Sequence, residues 1–193
     1  VPTDAIVCCS FGDASASHAT ALTGINSARY AFRGGRPTPI LFVCEDNRIG
    51  ISVDTPRGWI KERFATMKDM AFFEAEGELD DVWDAAEAAI RHCRAKRMPT
   101  FLQLHTTRLW GHAGSDVETV YRTAEELEQA EAQDPLLAFA DLLLATGAIT
   151  REGIVALYED TDRRLRRAAD EAARRPKLTT AEAVDWPLSY RDL

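Results

Sequence analysis

The sequence predicts an α/β fold: a parallel sheet flanked by helices, with a helical C-terminal tail. Three observations carry that prediction. The runs IVCCSF at 6–11, PILFVC at 39–44 and TFLQL at 100–104 are short and nearly continuous in apolar residues, as in strands covered on both faces. Helix-patterned segments separate them, giving the strand–helix alternation of parallel sheets. After Arg108 no further strand pattern occurs, and from Thr123 the chain reads as helix.

The elements follow in order. Residues 5–11 read as a buried strand ended by Phe11-Gly12-Asp13. Residues 15–33 read as a helix with a small-residue face, and Gly34-Gly35-Arg36-Pro37 as a loop. Pro39 to Cys44 is a second buried strand, ended by the polar Glu45-Asp46-Asn47-Arg48. Residues 49–58 are irregular, 59–68 form a short amphipathic helix, and MAFFEAEG at 70–77 is a shorter strand. Asp80 and Asp81 open a helix over 82–96, where acidic side chains suit the positive end of the helix dipole. Pro99 precedes the strand TFLQLHTTR, and 110–120 is a polar, Gly-containing loop of the functional kind. Helices are expected over 123–132, 135–146 and 151–174. Thr123 and Glu126 fit a capping box; Thr150 and Gly153 do not complete one. DRRLRRAADEAARR reads as a solvated helix packed on one side, and the tail from Lys177 through Trp186-Pro187 as extended. The domain reading is an α/β part over 1–122 and a helical extension packed on it over 123–193.

The chain has 193 residues, 46% apolar and 28% charged, enough for one domain with a sizeable core. Its formal net charge of −8 argues against nonspecific nucleic-acid binding, and no apolar run is long enough to span a membrane. The opening Val-Pro-Thr-Asp has no basic n-region, so no signal peptide is expected. A chain that starts almost inside a strand is expected to be a piece of something longer. Cys8, Cys9, Cys44 and Cys93 form no CxxC pair and are expected to be reduced, buried thiols in a cytoplasmic protein.

In open parallel sheets, ligands bind beyond the carboxyl ends of the strands. Gly12-Asp13 and Glu45-Asp46-Asn47 fall there, on one edge if the two strands pair in parallel. Asp13 and Asn47 offer hard oxygens, which with a backbone carbonyl suit a magnesium ion that keeps phosphate oxygens in its shell. The small residues Ala14 to Ser17 leave room for a diphosphate, and a helix starting there presents free N–H groups. The competing reading is a turn Gly followed by an N-cap Asp. Neither GxGxxG nor GxxxxGK[ST] occurs. His112 lies in the polar loop with Gly111 and Gly114, where it suits a proton donor or a phosphate contact, whereas His18, His92 and His105 read as packed or surface residues.

The stretch FGDASASHATALTGIN, with PILFVCEDNRIGISVDTP after it, resembles the thiamine diphosphate motif of the alpha subunit of 2-oxo acid dehydrogenases: strand, Gly-Asp-Gly-Ala and Ser, helix, strand, Asn-Asn and Ile-Ser. Ile25-Asn26 keeps the end of the helix and Ile51-Ser52 the Ile-Ser pair. TTRLWGHAGSDVETVYR at 106–122 resembles the family's phosphorylation-loop motif, and the order of the blocks agrees. The resemblance implies a thiamine diphosphate-binding fold, here truncated to the diphosphate-binding module. It implies Asp13, Asn47 and the Ile49 carbonyl as magnesium ligands. Gly12, Ala14 and Ser15 would line the diphosphate, with His112 beside cofactor and substrate as the catalytic residue. Arg108, Ser115, Asp116, Tyr121 and Arg122 would shape its loop.

The implied activity is oxidative decarboxylation of a 2-oxo acid with acyl transfer to lipoamide, using thiamine diphosphate and Mg2+. The implied partners are a beta subunit or beta domain, a lipoyl-bearing acyltransferase component, and a second alpha–beta unit in a homodimer. Family alpha subunits carry a comparable length of chain before this point, so the piece alone is expected to be inactive. Departures from the pattern are Ala14 for Gly, Asp46 for the first Asn, and Glu45 where some members have Arg. Asp46 is not expected to bind metal. The Arg33–Thr38 link is long, and the 56–81 segment diverges. Ala113 stands where mitochondrial members have the phosphorylated Ser, so that switch is expected to be missing. The alternatives are an acetoin dehydrogenase-like or other thiamine enzyme, such as a transketolase, which the 106–122 block disfavours, or a noncatalytic interaction domain that keeps the fold.

Overall fold

The computed structural model describes residues 2–77 and 79–185. The chain divides into two compact units, Val1–Phe139 and Ala140–Leu193. The first contains β1 (Val7–Gly12), α1 (Asp13–Ala16), α2 (Ala19–Arg33), β2 (Ile40–Asp46), β3 (Ile49–Gly50), β4 (Val53–Asp54), α3 (Trp59–Phe64), β5 (Ala71–Ala75), α4 (Leu79–Lys96) and β6 (Thr100–His105). A 3-10 turn at Glu118–Val120, α5 (Ala124–Ala132) and the start of α6 (Pro135–Ala145) complete it. The second contains the rest of α6, α7 (Arg151–Ala173) and α8 (Ala181–Asp185). No described helix is long and apolar enough to cross a membrane.

Four strands form one parallel sheet in the order β1-β2-β6-β5, flanked by helices, as the apolar runs predict. The chain advances across the sheet from β1 to β2 to β5 and then steps back to β6. Right-handed crossovers therefore put α2 and α3 on one face and α4 on the other. The side chains agree. Phe42, Cys44 and Phe101 pack with Ile25 and Ala28 of α2 and Ile60 and Phe64 of α3. Their strand neighbours Leu41 and Leu102 point the opposite way, onto Ala89 and Cys93 of α4.

Five expectations are corrected. β1 is an edge strand paired on one side only, so its apolar side chains are partly uncovered and Val7 is 60% exposed. Cys8 and Cys9 are exposed for the same reason; Cys44 and Cys93 are buried, and all four are free thiols. The helix read over 15–33 is two helices, because His18 takes extended backbone (φ −68, ψ 141) between them. The irregular 49–58 segment holds a small antiparallel hairpin, β3 paired with β4. In the tail, Ala181–Asp185 is helical rather than extended, and Trp186-Pro187 lies outside the described residues. Thr123 and Glu126 do form a capping box, and Thr150 caps α7 by accepting from the Gly153 amide. No residue of α7 is buried.

Phe101 is the centre of the α2/α3 face. It is fully buried, with ring centroids at 4.5 Å from Phe64, 5.8 Å from Phe72 and 6.0 Å from Phe11. Phe101→Ala leaves a cavity among these rings, so stability should fall by about 3–5 kcal/mol. Urea unfolding followed by circular dichroism measures the loss.

Candidate functional site

β1 and β2 pair in parallel with Gly12 opposite Glu45, so both chains leave the sheet at the same edge. At the end of β1, Gly12 (φ −81, ψ 166) is the N-cap of α1 and Asp13 is the first helical residue. The reading of Asp13 as an N-cap is therefore excluded. Its carboxylate is 2% exposed, and Oδ2 has no hydrogen-bond partner among the described residues. A buried carboxylate oxygen without a partner is costly. A Cβ at Gly12 would meet only the Glu45 carbonyl at 3.9 Å, so neither backbone conformation nor internal packing requires glycine there. Ala14 sits in α1 and is not among the residues with positive φ, so this position does not need glycine for its backbone. Its methyl instead rests against Gly50, where an added Cβ would lie 2.5 Å from it.

The end of β2 is held by polar bonds. Asp46 is 6% exposed and its Oδ2 accepts from Nε2 of the buried Gln103 on β6 at 2.7 Å. Its Oδ1 accepts from the Arg48 amide at 3.0 Å, so both oxygens are taken by protein. Glu45 is exposed. The Asn47 side-chain oxygen accepts from the Ile49 amide at 3.1 Å and keeps a second lone pair. Arg48 and Ile51 have positive φ, 61° and 60°, strained conformations for such residues. The Arg108 Nη1 donates to the Ile51 carbonyl at 2.6 Å and ties that strained turn to the loop after β6.

That loop carries His112. The His112 backbone N–H donates to Asp116 Oδ2 at 2.7 Å, and the Tyr121 hydroxyl donates to the same oxygen at 2.6 Å. Arg108 Nη2 donates to the Tyr121 hydroxyl at 2.7 Å, and Arg108 and Arg122 share the Glu118 carboxylate at 3.3 and 3.0 Å. Gly111 lets Asp116 come close, since a Cβ there would be 3.1 Å from the Asp116 Cβ. The bonds from Tyr121 and from the His112 amide hold the Asp116 carboxyl below the usual carboxylate range. Burial and the bond to Asp116 push the Tyr121 hydroxyl up.

Gly12, Asp13, Ala14, Ser15, Asn47, Ile49 and His112 all line one open cleft of about 650 Å3 at this edge. His18, Ala21, Gly50 and Ile51 line it as well. Burial, together with the Asp46, Asp13 and Glu45 carboxylates, pushes the nearby Cys44 thiol far up and keeps it protonated. The same three carboxylates make this edge of the sheet favourable to a cation. Among the described residues no group of three or more His, Cys, Asp or Glu forms a metal cage. The Asp13, Asn47 and Ile49 set, with one carboxylate, an amide and a carbonyl, is of another kind: it fits a cation that brings its own oxygen ligands.

Sequence reasoning passed over Gly50 and Gln103, and read His18 as a packed or surface residue rather than part of the cleft. His18 enters the cleft because the helix breaks there. Gly50 is needed for its contact with Ala14, which joins distant segments. Gln103 is a polar residue inside an apolar strand, and that was a readable signal of a buried partner.

Gly50→Ala should drive α1 and β3 apart and disorder the Asn47–Ile51 turn, whereas the Ala14→Gly/Gly50→Ala double variant should recover most of the lost stability. A double-mutant cycle by thermal melting checks this. The Asp116 bonds give a pH prediction. A carboxyl held low contributes order that is complete above its unfolded-state pKa and is lost as pH falls through the lowered folded value. Protection of the His112 amide, measured against the intrinsic exchange rate at each pH, should therefore fall at strongly acid pH, and already at pH 7 in Asp116→Ala; exchange mass spectrometry reads both.

A family model described as dehydrogenase E1 component matches residues 2–181. Among curated proteins, the chain is 27% identical over 182 residues to a pyruvate dehydrogenase E1 component subunit alpha type II, mitochondrial, of Ascaris suum, covering 93% of this chain and 44% of that one. It is 27% identical over 180 residues to the 2-oxoisovalerate dehydrogenase subunit alpha of Bacillus subtilis, covering 91% and 53%. To the human mitochondrial 2-oxoisovalerate dehydrogenase subunit alpha it is 27% identical over 177 residues, covering 89% and 39%. The chain thus spans about half the length of the curated relatives it matches.

Proposed function

Since the chain belongs to the dehydrogenase E1 component family, which matches it over residues 2–181, we propose that it supplies the magnesium-diphosphate half of a thiamine diphosphate-dependent 2-oxo acid dehydrogenase site. The observation that carries this reading is Asp13: a residue 2% exposed, whose Oδ2 has no partner among the described residues, in a cleft that Asn47 and Ile49 also line. Magnesium would take Asp13, the free lone pair of Asn47 Oδ1 and the Ile49 carbonyl, and would leave its remaining positions to phosphate oxygens. Gly12, Ala14 and Ser15 would line the diphosphate; the room above Gly12, which no protein atom needs, suits a phosphate oxygen.

Thiamine diphosphate, when bound, supplies the nucleophilic carbon and the electron sink for decarboxylating a 2-oxo acid. The chain's own part is to anchor, orient and handle protons. Asp46 turns away to Gln103 and leaves Asn47 and Ile49 as the donors of its turn. Asp116 fixes the backbone of His112, so that the imidazole is presented at the cleft and would hold a proton beside the carbonyl oxygen of the substrate. A beta subunit or beta domain would complete the site, a lipoyl-bearing acyltransferase would receive the acyl group, and two alpha–beta units would pair. Support comes from the relatives, which are named as subunits, and from the half-length match. On this reading the chain alone is inactive.

In the assembled protein, Asp13→Ala should weaken magnesium-dependent thiamine diphosphate binding by about 100-fold or more while the melting temperature without cofactor stays equal or rises, because an unpaired buried charge is removed. Calorimetric titration with and without magnesium makes the measurement. Wild-type affinity in the variant would refute the metal assignment.

A further inference from the structure

We propose that His18 binds the phosphate end of the ligand in this cleft, donating from Nε2–H. The proposal rests on the magnesium-diphosphate reading above and extends it to a residue outside the Gly12–Ser15 segment. Backbone geometry creates the position: Ser17 closes α1, and extended His18 opens α2, a helix of 15 residues. The helix carries no acidic residue in its first turn, so the positive end of its dipole is not neutralised from within. His18 Nδ1 accepts from the Thr20 amide at 3.2 Å, which makes His18 the N-cap and places the proton of the neutral ring on Nε2. The ring is therefore oriented by the backbone it caps, and its remaining polar atom is a donor.

His18 lines the same cleft as Asp13, Asn47 and His112. Asp13 is the independent sign of a ligand here, because its buried Oδ2 has no partner among the described residues. A cation on Asp13 calls for anionic oxygens on its other side. On the cleft wall the imidazole of His18, at the start of α2, offers a donor to such oxygens beside that of His112 and the hydroxyl of Ser15. His18 is exposed and packs into no core cluster, so structural packing does not explain its presence at the cleft wall.

The test compares His18→Asn with His18→Ala in the assembled protein. Asn keeps the cap on Thr20 but is too short to replace the Nε2 donor; Ala loses both. Calorimetric titration uses two probes, thiamine diphosphate and inorganic pyrophosphate, each with magnesium. His18→Asn should bind both about tenfold more weakly than wild type, as expected for one hydrogen bond to a charged group. Its melting temperature without ligand should equal that of wild type, whereas His18→Ala should melt lower. Wild-type affinity of His18→Asn for both probes, in a protein where Asp13→Ala abolishes binding, overturns the role of His18 alone. Undiminished binding in Asp13→Ala, or no magnesium-dependent binding by wild type, overturns the magnesium-diphosphate reading and this proposal with it.

Discussion

The parallel register of β1 and β2 is the constraint on which the site depends. With Gly12 opposite Glu45, two segments far apart in sequence leave the sheet at one edge, and Asp13 and Asn47 enter the same cleft. A slip of one residue would turn Phe11 to the opposite face of β1. Phe11 resists the slip, because its ring packs 6.4 Å from Phe42 and 6.0 Å from Phe101. The aromatic core that stabilises the sheet thus also aligns the groups at its edge.

Between core and cleft stands a small set of polar bonds. Gln103 draws the Asp46 carboxylate toward β6, and the Thr106 amide takes the Asp46 carbonyl at 3.0 Å, so the last residue of β2 is fastened by both side chain and backbone. The turn that follows stays fixed in strained conformations at Arg48 and Ile51 because Arg108 grips the Ile51 carbonyl. Arg108 also holds Tyr121, and Tyr121 holds Asp116. One guanidinium therefore couples the turn bearing Asn47 and Ile49 to the loop bearing His112. Satisfied polar networks of this sort favour one arrangement over alternatives.

Much of this was legible in the residues. Continuous apolar runs gave away the parallel sheet, and Gly12-Asp13 at a strand end marked the edge where the cleft opens. The polar, glycine-flanked setting of His112 set it apart from the other histidines. Thr123 with Glu126 announced the start of α5. These features are local: each depends on period, composition or a cap within a few neighbours. The errors share a different origin. The exposure of Cys8 and Cys9 depends on which strand stands at the edge, the break at His18 on how α1 and α2 meet, and the need for Gly50 on a residue far away in the chain.

By itself the sequence determined the α/β class, the main strands and helices and the residue types available at the strand ends, because these follow from local periodicity and side-chain chemistry. Only the tertiary structure decided that Asp13 is buried without a partner for Oδ2 among the described residues, that Asp46 turns away to Gln103, and that His18 joins His112 on one cleft. The reason is physical: burial, hydrogen-bond partners and cleft membership are set by contacts between segments distant in the chain, and no local pattern encodes them.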